Sequence, residues 1–357
     1  MDNNKAAKKI VLYGSYGYTG NLISELAAKS GLDVILSGRD AGKLKEQSER
    51  LGLPYMPASL DAPSELNVML KDALVVLHCA GPFVHTWRPM AEACLRNGCH
   101  YLDITGEIAV FENLKEMDQL FKEKQVMAMP GVGFDVVPTD CMAAWLHRQM
   151  PDATHLELAF QGIGSGVSRG TAKTMIENLG KGGAVRENGV IKKVPDAYKT
   201  REIVVGEKSV RVVSIPWGDV STAYHSTGIK NIVVYTAIPK KLIKKMKWLK
   251  WLKPLLKLKS VKKWLVNKIN SGPAGPDLEK RTMGRSLIWG EVSSADGKKL
   301  QGFLETKEGY QLTAEMAWKI VLKVRNGNWS PGYQTPSKVY GADLILEIDG
   351  TTRNLKP

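Results

Sequence analysis

The stretch from Lys9 to Gly20, K-I-V-L-Y-G-S-Y-G-Y-T-G, narrows the fold more than any other part of the chain. Five β-prone residues run into glycines spaced three apart, at Gly14, Gly17 and Gly20. A dinucleotide turn needs a strand before such glycines, a helix after them and a second strand about 20 residues on. Here N-L-I-S-E-L-A-A-K places Leu22, Leu26 and Lys29 at helical spacing, and G-L-D-V-I-L-S-G-R supplies a turn and an apolar strand at Val34 to Leu36. The glycines differ in what they allow. One makes the bend, one admits the pyrophosphate, and one lets helix and strand pack closely. The pyrophosphate is expected at the positive end of the helix that starts near Thr19. The expected contacts in the turn are therefore Gly14, Ser15, Tyr16, Gly17, Tyr18, Thr19 and Gly20.

The end of the second strand separates the two nicotinamide dinucleotides. An NAD site usually carries Asp or Glu there to bind the ribose hydroxyls. This chain reads Ser37-Gly38-Arg39 instead, which removes a carboxylate and offers a guanidinium to a 2′-phosphate. Asp40 reads as the N-cap of the next helix, and Lys43 on its first turn adds a second positive charge. NADP(H) is the expected cofactor.

Strand and helix signals go on alternating, so the fold class is α/β, a Rossmann-type doubly wound parallel sheet, over residues 1–142. Ligands of such sheets bind beyond the carboxyl ends of the strands. That edge gathers Asp61, expected beside the adenine, and the loop Cys79, Ala80, Gly81 and Pro82. It also gathers His78, His85, Tyr101, Asp103, Glu107 and Asp135. His78, inside a buried strand, reads as a core residue. His85, Asp135 and Tyr18 are the candidates for proton transfer, and Asp103 is a candidate for the substrate pocket. From residue 143 to 305 apolar and polar residues alternate as in half-exposed antiparallel strands, which indicates a second, mixed α+β domain. There Ser168, Arg169 and Thr171 precede a helix whose N-terminus suits an anionic or carbonyl group. Residues 306–357 are expected as helices packing back on the first domain.

Four scattered cysteines and six histidines form no ligand spacing, so no metal is expected, and the cysteines read as reduced thiols. M-D-N-N-K-A-A-K-K lacks the apolar core of a signal peptide, which points to the cytoplasm. The formal net charge of +14 is local: Lys240 to Ile269 holds twelve lysines and no acid, leaving +2 for the rest of the chain. This stretch reads as two helices broken near Pro254. One carries Leu242, Met246, Leu249 and Leu252, and the other Leu258, Val261, Leu265 and Ile269. Trp248, Trp251 and Trp264 suit the lipid–water boundary. An anionic membrane surface, at about 1 kcal/mol per lysine, is the expected partner, with the chain lying on the inner face. A helix-binding protein partner competes with that reading. Nucleic acid is not expected, because the run holds lysine alone without arginine. The sequence leaves a homodimer open.

G-S-Y-G-Y-T-G, S-G-R, A-G-P-F, Y-L-D-I-T-G-E, P-G-V-G-F-D-V-V-P-T-D and G-R-S-L-I-W-G-E, in that order, resemble the saccharopine dehydrogenase-like oxidoreductases. Within that group they are most similar to the branch with the bacterial trans-acting enoyl reductases. The likeness extends over S-R-G-T-A-K-T-M-I-E-N-L-G (168–180) and T-P-S-K-V-Y-G-A-D-L-I. The resemblance implies an NADP-binding first domain, a mixed α/β second domain, and cofactor contacts at Gly14, Tyr16, Gly17, Tyr18, Thr19, Ser37, Arg39 and Ala80–Gly81–Pro82. It also implies a link to lipid or glycolipid metabolism at membranes, though not a substrate. The expected function is an NADP(H)-dependent reduction of a C=C or C=O bond of a lipid- or glycolipid-type small molecule at a membrane surface. The alternatives are a soluble amino-acid oxidoreductase like saccharopine reductase, or an NADP-binding membrane adaptor without turnover.

Overall fold

The protein is described from a computed structural model, which covers residues 9–178, 180–205, 208–238 and 258–356. The chain divides into two compact units.

The first unit comprises residues 1–135 and 310–335. Its strands are β1 (Lys9–Tyr13), β2 (Val34–Gly38), β3 (Tyr55–Pro57), β4 (Ala73–His78), β5 (His100–Asp103) and β6 (Met127–Met129). A short later strand, Gly332–Tyr333, joins beyond β6, and the order runs from it through β6, β5, β4, β1 and β2 to β3. Every pair is parallel. In β1 the side chains from Ile10 to Tyr13 are at most 3% exposed. This explains the unbroken apolar run: helices cover both faces of a parallel sheet, so neither face can be polar. Because the strands run the same way, the segments after β1, β2, β4, β5 and β6 all leave from one edge. Among the helices that begin there are α1 (Tyr18–Ala28) after β1 and α2 (Ala41–Leu51) after β2.

The added strand is held by Asp118. Its carboxylate accepts the Tyr333 amide at 2.7 Å and pairs with Lys115 and Lys122 at 2.7 and 2.9 Å. Burial would raise the acid, but these bonds outweigh it and hold it down at about 2.

The second unit comprises residues 136–309 and 336–357. Its nine-stranded mixed sheet contains β7 (Ala153–Ile163), β8 (Gly183–Glu187), β9 (Val190–Val194), β10 (Thr200–Val205), β11 (Lys208–Ser214), β12 (Asn231–Ala237), β13 (Arg285–Ser294) and β14 (Lys299–Lys307). Pairing is antiparallel except between β7 and β12. Helix Val137–Gln149 lies on one face, over Gly290 and Gly302. A Cβ at Gly290 would stand 2.7 Å from Leu146, and one at Gly302 2.8 Å from Trp145. The missing side chains are what allow helix and sheet to approach.

The last 50 residues differ from the expected block of helices. Helix Gly309–Arg325 and the strand Gly332–Tyr333 go almost entirely to the first unit. Residues 336–357 go to the second, where Thr352–Lys356 pairs antiparallel with β14. Five residues with a single apolar member give no periodicity to read, so this strand is specified by the edge it joins.

Candidate cofactor site

The turn after β1 is built on close backbone approach. Gly14 has φ 78°, a conformation that favours glycine, and its amide donates to the Ser37 carbonyl at 2.7 Å. A Cβ there would lie 2.8 Å from the Ala80 nitrogen, so Gly14 admits the loop after β4. At Gly20 a Cβ would collide with the carbonyls of Gly14 and Ser15. This is the glycine that seats α1 on the turn. Gly17 caps α1 with no side-chain bond, and the first turn of the helix holds no acid. Neither the cap nor the first turn therefore supplies a carboxylate to the amide ends of this helix.

Two expected contacts have structural work instead. Ser15 is fully buried: its amide donates to the Ser37 carbonyl, and its hydroxyl donates to Gln47 at 2.7 Å. Gln47 returns a bond to the Ser15 carbonyl at 2.9 Å, which ties the turn to α2. Ser37 is likewise buried and donates to the Met56 carbonyl at 2.6 Å. Both side chains fix the shape of the turn and are unavailable to a ligand.

At the end of β2, Arg39 is exposed, and its guanidinium has no hydrogen bond or ion pair among the described residues. Asp40 caps α2 by accepting the Lys43 amide at 3.1 Å, and that bond, with Lys43 itself, lowers its pKa. The Lys43 ammonium stands 3.4 Å from Asp40 and 5.6 Å from the Tyr16 ring centre. It is thus partly neutralised, where Arg39 is not. A Cβ on Gly38 would meet the Tyr16 ring at 2.6 Å, so this ring lies over the end of β2. Asp61 is exposed in the loop after β3, its amide bonded to Ser59.

The loop after β4 is fixed from both sides. The Cys79 amide donates to the Tyr13 carbonyl at 2.7 Å, and the Ala80 carbonyl accepts the Thr86 hydroxyl at 2.7 Å. Burial, aided by Asp103, raises the Cys79 thiol, so it stays protonated. Gly81–Pro82 is a cis peptide leading into helix Phe83–Asn97. Glu107 closes the start of that helix, accepting the Phe83 and Val84 amides at 2.8 and 2.9 Å. His78 is fully buried, and burial lowers it to about 3, so its ring is neutral. Thr86 lies 3.0 Å from its Nε2. His85 is exposed on the helix's first turn.

Asp103 is not free to bind a substrate. It is fully buried and accepts from Tyr101 at 2.6 Å and from the Thr105 and Gly131 amides at 2.9 Å. It staples the end of β5 to the loop after β6, and burial outweighs these bonds to raise it to about 6. Asp135 differs. A Cβ at Gly106 would lie 2.9 Å from its carboxylate, burial raises it to about 7, and no described residue donates to it.

Helix Gly309–Arg325 belongs almost entirely to the first unit, as expected, but the residues it brings to the turn were not read from the sequence. Tyr310 meets Tyr18 edge-on at 5.2 Å between ring centres, and the Thr313 hydroxyl accepts the Phe134 amide at 2.9 Å. Nothing in the local pattern of that helix announces a return to the first strand's turn.

Ser168, Arg169 and Thr171 lie in the second unit and are engaged locally. The Ser168 hydroxyl accepts the Thr171 amide at 3.2 Å, and the Arg169 guanidinium donates to the Gly272 carbonyl at 2.9 Å. The described residues hold no group of His, Cys, Asp and Glu suited to a metal.

Residues 10–129 match the family described as saccharopine dehydrogenase NADP binding domain. The chain carries a saccharopine dehydrogenase NADP-binding domain. A nicotinamide dinucleotide is its cofactor, and the open start of α1 beside Gly14 and Arg39 fits one. The saccharopine dehydrogenase-like oxidoreductase of Mus musculus is 28% identical over 203 residues, 50% of this chain and 47% of that one. The trans-acting enoyl reductase of Mycobacterium leprae (strain TN) is 33% identical over 162 residues, 42% of this chain and 38% of that one. The chain thus spans less than half the length of these relatives. Apo saccharopine dehydrogenase (L-Glu forming) from Saccharomyces cerevisiae shares the fold, with a TM-score of 0.69 at 13% identity. That match covers 98% of this chain and 100% of the other.

Proposed function

We propose that this chain is an NADPH-dependent reductase acting on a C=C or C=O bond of a lipid- or glycolipid-type substrate at the inner face of a membrane. The observation that carries the cofactor choice is Arg39, an exposed guanidinium without a carboxylate partner beside the glycine turn. A 2′-phosphate would give it the charge-assisted bonds it lacks. The α1 amides would hold the pyrophosphate, and Tyr16 over Gly38 would border the adenosine ribose. The enoyl reductase names among the relatives favour C=C as the reduced bond, and the lysine-rich stretch favours a membrane.

When bound, the nicotinamide supplies a hydride, and the reduced bond then needs a proton. Asp135 is suited to give it, because burial raises its carboxyl to about 7, so that roughly half of it carries a proton at neutrality. The rate should fall as pH rises through 7, and Asp135→Asn should remove that limb of the kcat profile. An unchanged profile assigns the proton to another group.

The reaction itself is tested with NADPH deuterated at C4 of the nicotinamide and a total lipid extract, followed by mass spectrometry. Deuterium is expected in a lipid product. Transfer only to an imine formed from amino acids, or to nothing, contradicts the proposal.

A further inference from the structure

The lysine-rich stretch raises the question of which surface would meet a membrane. Residues 239–257, with the expected first helix and Trp248 and Trp251, lie outside the described residues. The second expected helix is present as Lys259–Asn270. Its stripe is not the face it offers outward. Val261, Leu265 and Ile269 are half-buried as the helix packs on helix Arg169–Asn178, where Lys262 donates to the Glu177 carbonyl at 3.2 Å. Trp264 lies off that stripe and is 61% exposed, with the Lys268 ammonium 5.7 Å from its ring centre.

The neighbouring segments do the same. Gly272 and Ala274 accept from Arg169, Pro276 lies against Gly166, and Gly284 against Gly164. This places residues 163–178 and 258–284 in one local assembly of the second unit. On it Val167, Met175, Leu278 and Met283 are 55–74% exposed, as is Trp264, and Leu258 is 48% exposed. Residues 258–285 carry seven basic and two acidic side chains. Six large apolar side chains left open within one local assembly are unusual on a soluble surface, and basic neighbours are what an anionic bilayer selects.

We infer that this composite surface, centred on Trp264, Met175 and Met283, docks on an anionic phospholipid bilayer. The inference rests on the membrane part of the proposed function and changes its form. The contact is a patch of aromatic and methionine anchors from three helices, rather than the apolar stripe of a single helix laid in the surface.

The test is co-sedimentation of the full chain with vesicles of phosphatidylglycerol and phosphatidylcholine, compared with phosphatidylcholine alone. Tight binding to the anionic vesicles only is expected. Trp264→Ala with Met283→Ser should weaken it at least tenfold, while Leu120→Ser, at an exposed leucine of the first unit, leaves it unchanged. Equal binding to both vesicles, or no loss in the double variant, overturns the inference, and so does capture of a soluble protein in place of vesicles. NADPH titration of the same variants keeps the two proposals apart. Lost docking with intact NADPH binding bears on the surface alone, and vesicle binding without any hydride transfer contradicts the reductase alone.

Discussion

The helices that follow β1 and β4 start from the same edge of one parallel sheet, and they are finished in opposite ways. Helix Phe83–Asn97 receives both oxygens of Glu107 on its first amides. Helix α1 has no such carboxylate of its own: its cap is Gly17, without a side-chain bond, and its first turn is free of acids. α2, between them in the chain, is closed by Asp40. A helix start with no acid at its cap or in its first turn, among neighbours capped by one, suits an anion from outside. The same contrast holds for the cations. Lys43 has Asp40 beside it, and Arg39 has no such partner.

The contrast can be broken by giving α1 what its neighbours have. Gly17→Asp places a carboxylate at the cap of α1, where its conformation is extended. NADPH affinity should drop by about 100-fold or more, because the charge occupies the amides and repels the pyrophosphate. The new cap is worth about 0.5–1 kcal/mol, but a Cβ there stands 3.2 Å from the Gly14 carbonyl, so thermal stability should change by less than that. A variant that binds NADPH normally shows that the pyrophosphate sits elsewhere.

Emptying the closed helix is the converse. Glu107→Ala should cost about 1–2 kcal/mol in denaturant unfolding while NADPH affinity changes less than threefold. A large loss of affinity at unchanged stability makes Glu107 a ligand contact instead of a cap. The smallest effect is expected at Ser15. Ser15→Ala removes the bond to Gln47 and should cost about 1 kcal/mol or less, with affinity nearly constant in the same titration.

Much of the first unit was legible because its signals are local and periodic. The strand, glycines and helix from Lys9 to Ala28, and the cap at Asp40, each depend on residues within a turn or two. What sequence could not read was the direction of polar side chains within those elements. Ser15, Ser37 and Asp103 lie in the right segments, but they face inward, where burial and backbone partners use them. Nor could it read contacts made across nearly 300 residues, such as Tyr18 with Tyr310. The helix Lys259–Asn270 is instructive in another way. Its amphipathic stripe is correctly periodic, but periodicity tells which side is apolar and not whether protein or lipid covers it. Here helix Arg169–Asn178 takes part of that stripe.

The most direct test of the account is a pair of fluorescence titrations, NADPH and NADH, on the natural chain and on Arg39→Ala. The unpartnered guanidinium predicts that NADPH binds at least tenfold more tightly than NADH, that Arg39→Ala removes most of the difference, and that NADH affinity barely moves. Equal affinities in the natural chain, or a loss of both cofactors alike in the variant, would contradict the reading of this edge as a 2′-phosphate site.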